Sequence, residues 1–131
     1  MEPTVSLDSS FLIDLLAGLP RAVLKARELD SSGEPRYVTP PAASEVLFGG
    51  YRLGGAYLER SRQFVDGLPL LPFDPVACQV AGRLGAELLS RGRPLGQGDL
   101  FIAAISMRHG QRLLTRDRSF GQVPGLVLEG Y

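Results

Sequence analysis

The sequence predicts an α/β fold, a mostly parallel sheet with helices on both faces, and three observations carry that prediction. Short apolar and β-branched runs alternate with longer amphipathic stretches, the pattern of strand–helix–strand units. Two of the short runs lead into an acid, Asp8 and Asp117. The stretch Gly98–Ile105 sets one acid, Asp99, before a nearly all-apolar run, and a helix of that composition has to be buried on more than one side. With 131 residues, 44% of them hydrophobic, the chain suits one domain, 1–131, large enough for a core of its own. No repeat, low-complexity tract or linker marks a boundary within it.

The elements follow in order. Thr4–Leu7 reads as a short strand, and Asp8-Ser9-Ser10 leads from it into a helix over Phe11–Leu16 that Gly18-Leu19-Pro20 stops. Asp14 sits among leucines and reads as part of a solvated face whose turn can reach the rim of a cleft. Arg21–Leu29 is a second amphipathic helix, closed by Asp30-Ser31-Ser32-Gly33. Arg36–Thr39 is a second strand. Pro40-Pro41 then opens a helix, where proline is well placed, running through Glu45 to Phe48 and Gly49-Gly50. A further helix spans Tyr51–Asp66, with kinks expected at the glycine pairs. Leu68–Phe73 holds two prolines, so any strand there is short or at an edge. Asp74-Pro75 is a cap followed by proline at the first position, and the helix it starts runs over Val76–Leu89. A glycine-rich loop leads to the Asp99 helix, which ends at Arg108-His109-Gly110. Arg112–Thr115 is a strand, Arg116–Phe120 a loop at its C-terminal end, and Leu126–Leu128 a last short strand.

Composition removes several classes of function. The 14 basic and 14 acidic residues cancel, so no overall basic field advertises nucleic acid, and such a partner needs a local patch. The single cysteine, Cys78, excludes a disulfide framework within the chain and reads as a buried thiol. The N-terminus lacks a basic region, Asp14 interrupts its apolar stretch, and no apolar run is long enough for a bilayer. The reading is a soluble, cytoplasmic protein with no membrane role. His109, the only histidine, stands before a glycine at a helix end and reads as a partner of the dipole and cap, not as a catalyst or ligand.

Four acids carry the chemistry. Asp8 and Asp117 each follow a strand, and parallel neighbours would bring both to one sheet edge, where α/β folds bind ligands. Asp99 lies in the first turn of its helix, and Glu45 near the start of its own. Each has an ordinary reading as well: Asp8, Ser9 or Ser10 as an N-cap, Asp99 as a partner of the helix dipole. Glu45 resists the ordinary reading, since the positions three and four residues on are Phe48 and Gly49 and offer no basic partner. Gathered together, such carboxylates would repel by about 4 kcal/mol per pair at about 4 Å near a surface, so they need a cation. An all-oxygen set selects Mg²⁺ or Mn²⁺, and the matching reaction is hydrolysis of a phosphodiester by a metal-activated water. Thr115 and Ser9 offer hydroxyls as a supporting shell. Arg116 and Arg118 flank Asp117 and can hold substrate phosphate, or form a solvated loop.

Val5–Asp14, Ala43–Val46, Gly98–Ala104 and Leu113–Phe120 stand in an order and spacing that resemble the PIN-domain family, in particular the toxins of VapBC toxin–antitoxin pairs. The likeness covers almost the whole chain, including Pro124-Gly125-Leu126. It implies a three-layer α/β/α domain and an endoribonuclease dependent on Mg²⁺ or Mn²⁺. It implies that Asp8, Glu45 and Asp99 are metal ligands, with Asp117 at a more variable fourth position and Thr115 near the metal. It also implies an RNA substrate, a homodimer and a cognate antitoxin protein that inserts a segment near the active site. The alternative of another class is a catalytically silent scaffold or binding module of the same fold. Receiver-like and haloacid-dehalogenase-like domains also place an Asp after the first strand, but they want a late lysine, and Lys25 is the only one. A dinucleotide fold would need a third glycine after Gly96-Gln97-Gly98.

Overall fold

The computed structural model describes residues 4–131. Four strands form one all-parallel sheet: β1 (Val5–Leu7), β2 (Arg36–Tyr37), β3 (Arg112–Leu114) and β4 (Leu128–Glu129), in the order β2-β1-β3-β4. Val5 pairs with Arg36 on one side and Arg112 on the other, and Leu113 pairs with Leu128. Among the described residues six α-helices join these strands: α1 (Ser9–Leu16), α2 (Pro20–Ser32), α3 (Pro40–Leu53), α4 (Gly55–Asp66), α5 (Pro75–Ser90) and α6 (Gln97–Arg108). Every residue of β1 is buried, as a central parallel strand requires, because helices must cover both faces of such a sheet. The result is a three-layer α/β/α arrangement, as the sequence predicts. The core gathers Leu7, Phe11 and Leu12 with Ile102, Leu113, Leu114 and Phe120.

Topology places the site. From β1 the chain moves outward to β2, then crosses back to β3 and β4 on the other side. Strand order therefore reverses between β1 and β3, and the crevice beyond their C-terminal ends is where such sheets bind ligands. Asp8 leaves β1 at that point, and its backbone N–H continues the ladder to the Leu114 carbonyl at 3.0 Å.

The helix starts follow the sequence closely. Thr39 caps α3 by accepting from the Ala42 N–H, and Asp74 caps α5 by accepting from the Ala77 N–H at 2.8 Å; a proline follows each. In α6, Ile102 to Ser106 are five consecutive buried residues, the outcome expected of a run with no polar face.

Several boundaries differ. α3 runs straight through Gly49-Gly50 to Leu53, and the break falls at Gly54, whose φ of +70° an L side chain rarely adopts. The second strand shortens to Arg36–Tyr37; Val38 makes one parallel bridge to Leu70, so the proline-rich segment does lie at an edge. The last strand starts at Leu128 rather than Leu126, because Gly125 at φ +81° and the bond from Leu126 N–H to the Val123 carbonyl keep the chain in a turn. Cys78 is exposed, not buried. The inner stripe of α5 is Ala77, Ala81, Leu84 and Leu88, and the cysteine falls off that helical period. Asp14 is buried as well, against the expectation of a solvated face. Among the described residues no helix is long and apolar enough to cross a membrane.

Candidate active site

Asp8 stands at the N-cap position of α1 but makes no capping bond with its side chain. The reading of Asp8 as a capping side chain therefore fails. Its Oδ2 instead accepts from Thr115 Oγ1 at 2.7 Å and from Ser10 Oγ at 2.8 Å. Its Oδ1 is fully buried and has no hydrogen-bond partner. A buried carboxylate oxygen without a donor is costly, and it fits a site built to meet a cation.

Thr115 follows β3 and ties two acids together: it donates to Asp8 and accepts from the Asp117 N–H at 2.9 Å. Asp117 follows and caps the 3-10 turn Arg118–Gln122, its Oδ1 accepting from both Ser119 N–H and Ser119 Oγ. Phe120, wholly buried, pins that turn to the core, so what the sequence reads as a loop is a fixed element.

Glu45, one and a half turns into α3, is half-buried, and its Oε2 accepts from Ser9 Oγ at 2.5 Å. Ser9 thus acts on Glu45, while Ser10 supports Asp8; sequence reasoning singled out Ser9 and left Ser10 as a cap candidate. The signal for Ser10 was local, a hydroxyl two residues past an Asp. Glu45 also lies over the start of α6, where a Cβ built on Gly98 would meet Glu45 Oε1 at 2.7 Å. A side chain at this position would displace the carboxylate from where it now sits.

Asp99, in the first turn of α6, is part-buried and makes no hydrogen bond among the described residues. Its carboxyl is pushed up to about 6, first by burial and then by the negative charges of Asp117, Asp8 and Glu45. Four acids from four elements thus share one electrostatic field. They do not yet form a ligand set: among the described residues no three His, Cys, Asp or Glu side chains are gathered closely enough to hold a metal ion. The geometry explains the spacing. Serine and threonine hydroxyls hold Asp8, Glu45 and Asp117 each in its own place, and like charges favour separation.

A basic rim borders the acids. A cavity of about 550 Å³ is lined by Arg21, Arg116 and Arg118 together with Thr115, Asp117 and Tyr131. Arg118 makes no ion pair or side-chain hydrogen bond among the described residues. Arg116 does: its Nε and Nη2 donate to Asp14 at 2.7 and 3.3 Å. Tyr131 donates its hydroxyl to the same Asp14 at 2.6 Å. The Arg116 bond, opposed by burial and helped by Tyr131, holds the Asp14 carboxyl below the usual range. Burial and the Asp14 bond push the Tyr131 phenol up to about 12, so it stays a donor at neutral pH. This triad is the second feature sequence reasoning missed, since it joins residues more than 100 positions apart. His109 lies elsewhere, with Nε2 at 2.8 Å from the Pro72 carbonyl and beside Asp74.

The family described as "PIN domain" matches residues 5–126. Two curated relatives bear the name "tRNA(fMet)-specific endonuclease VapC". The one from Shigella flexneri is 35% identical over 69 residues, and the one from Salmonella typhimurium 32% over 69. Each match covers 52% of this chain and 52% of the relative, so it spans about half the length of the curated relatives. Among solved structures, VapBC2 from Rickettsia felis, bound to a DNA fragment from its promoter, superposes with a TM-score of 0.83 at 20% identity, covering 97% of this chain and 98% of that one. DNA-bound VapBC from Salmonella typhimurium gives 0.81 at 25% identity, covering 98% of each.

Proposed function

The chain belongs to the PIN-domain family, and from that premise we propose that it is a metal-dependent endoribonuclease, the toxin of a toxin–antitoxin pair. The observation that carries the proposal is Asp8 Oδ1, a carboxylate oxygen fully buried with no hydrogen-bond partner, with Asp117, Asp8 and Glu45 near enough to Asp99 to help burial raise its carboxyl. Membership alone does not require it, because a silent member of the same fold has no use for mutually repelling carboxylates.

The residues fit a hard divalent ion. All available donors are oxygens, and Asp8 Oδ1 is buried with no protein partner; such a set suits Mg²⁺ or Mn²⁺. Asp8, Glu45 and Asp99 would hold it, with Asp117 as the fourth acid. When bound, such an ion lowers the pKa of a water and polarises a phosphoryl oxygen. The chain's own residues do the rest. Ser10 and Thr115 fix the rotamer of Asp8 by both bonding Oδ2, which leaves Oδ1 without a protein partner. Ser9 steadies Glu45. Thr115 also fixes the start of the Asp117 turn through the Asp117 N–H. Arg116 and Arg118, on either side of Asp117, offer guanidinium groups to the phosphates on either side of the cut.

The curated relatives' printed substrate, tRNA(fMet), is the first RNA to test. VapBC complexes among the solved relatives support a cognate antitoxin as partner, and Phe48, Tyr51 and Leu53, large and exposed on α3, offer apolar surface for it or for a second copy in a homodimer. A cytoplasmic location belongs to the same proposal, since the tRNA named for the curated relatives is found there.

The test is cleavage of total cellular RNA and of tRNA(fMet) with Mg²⁺, with Mn²⁺ and with EDTA. Cleavage is expected with either metal and none with EDTA. Asp8→Asn and Asp99→Asn are expected to lose at least about 100-fold in rate while unfolding no earlier than wild type. Full metal-dependent cleavage by both variants would remove these ligands from the reading. The open spacing of the acids favours one other reading, a scaffold without chemistry, and no cleavage of any RNA under any metal would select it.

A further inference from the structure

Asp14 has no place in the four-acid set, yet it is buried and fully employed. It lies on α1 beside the apolar residues Ile13, Leu15 and Leu16, and its carboxylate takes three donors: two N–H groups of Arg116 and the Tyr131 hydroxyl. Phe11 stacks edge-on against the Tyr131 ring at 4.9 Å, and Arg21 lies over that ring at 5.9 Å. A buried acid serving stability alone needs only a compensating charge. Here that charge is an arginine whose side chain remains 48% exposed and lines the basic cavity beside Thr115 and Asp117. A guanidinium has five N–H donors in a rigid fork, and Asp14 occupies two of them. The remaining donors are left with a fixed direction instead of a mobile one.

We propose that Asp14 is a positioning residue: with Tyr131 it holds the Arg116 guanidinium at the lip of the 550 Å³ cavity, and that cavity takes a backbone phosphate of single-stranded RNA next to the acidic site. The ligand class rests on the ribonuclease reading above. The cavity is suited to an anion because three arginines, Arg21, Arg116 and Arg118, line it against two carboxylates, Asp117 and Glu129, and Glu129 is already paired with Lys25 and Arg112.

The sign of the effect separates positioning from simple charge. Asp14→Ala removes a negative charge beside the cavity, so the electrostatic field alone makes RNA bind more tightly. Loss of positioning makes it bind more weakly, by about 2–10-fold, the range for immobilising one flexible side chain. The measurement is fluorescence anisotropy of a short labelled single-stranded RNA, with every variant carried in an Asp99→Asn background, over a range of salt. Asp14→Ala and the milder Tyr131→Phe are expected to weaken binding. Arg116→Ala is expected to weaken it further and to reduce the salt slope by about 0.7, the value for one phosphate contact on a single strand. Arg83→Ala, an equal charge change on α5 outside the cavity, controls for net charge. Binding that tightens or stays unchanged in Asp14→Ala, or an Arg116→Ala salt slope equal to that of Arg83→Ala, overturns the proposal. If Asp14→Ala does not fold, Tyr131→Phe and Arg116→Ala decide it by the same criteria. Because binding is read without cleavage, a protein that binds in this pattern but cuts no RNA refutes the nuclease reading and leaves the phosphate site standing.

Discussion

At the residue scale, Asp99 carries the most information. Its proton is held to about 6 in the fold against 3.8 for the ordinary carboxyl, so the folded state binds more protons than the unfolded one between those values. Stability therefore falls as pH rises from about 4 through about 6. Asp99→Asn removes the repulsion and is expected to flatten that slope in a urea series measured at several pH values. At pH 7 the variant should be more stable by about 1 kcal/mol, a figure reduced for the side chain's partial exposure. A variant less stable than wild type at pH 7 would mean that Asp99 is held by favourable contacts. Asp8 teaches a different lesson: a residue can stand at a cap position and not cap, and the hydroxyls of Ser10 and Thr115 show where its carboxylate is directed instead.

At the scale of elements, the site depends on how closely α3 and α6 approach. Gly98 is in ordinary helical backbone, so its lack of a side chain matters for space and not for φ. Gly98→Ala puts a methyl group where Glu45 Oε1 now sits. The carboxylate is the end of a flexible side chain and can move, so the change in stability is expected to stay within about 1 kcal/mol. Cleavage is expected to fall by 10-fold or more, roughly what a misplaced catalytic group costs, as read by RNA cleavage beside a thermal melt. Wild-type cleavage in a well-folded Gly98→Ala protein would show that Glu45 has no fixed place in the chemistry.

At the scale of the molecule, the parallel sheet is the device that brings four acids distant in the chain into one electrostatic field. Its order reverses between β1 and β3, and the acids that follow these strands open into one crevice while α3 and α6 bring the other two. If that crevice binds a hard ion, Mn²⁺ should raise the melting temperature of the wild-type protein. Ligand at about a hundredfold over its Kd stabilises by about 2.7 kcal/mol, and Asp8→Asn should abolish most of the shift. Equal melting temperatures with Mn²⁺ and with EDTA in the wild-type protein would argue for the scaffold reading.

The α/β class, the helix starts at Thr39-Pro40 and Asp74-Pro75 and the burial of α6 are all legible in the sequence, because each is written in local periodicity, caps or residue type. Where sequence and structure differ the cause is local too: one step of helical phase, not residue type, exposes Cys78, and of the two glycine pairs at which the sequence predicts kinks only Gly54-Gly55, with its positive φ angles, breaks the helix. Tertiary structure alone decided which hydroxyl serves which carboxylate, that Asp14 is buried against Arg116 and Tyr131, and that the acids share a field without closing into a ligand set. Those outcomes depend on distances between residues far apart in the chain, and no local pattern encodes a distance across a crevice.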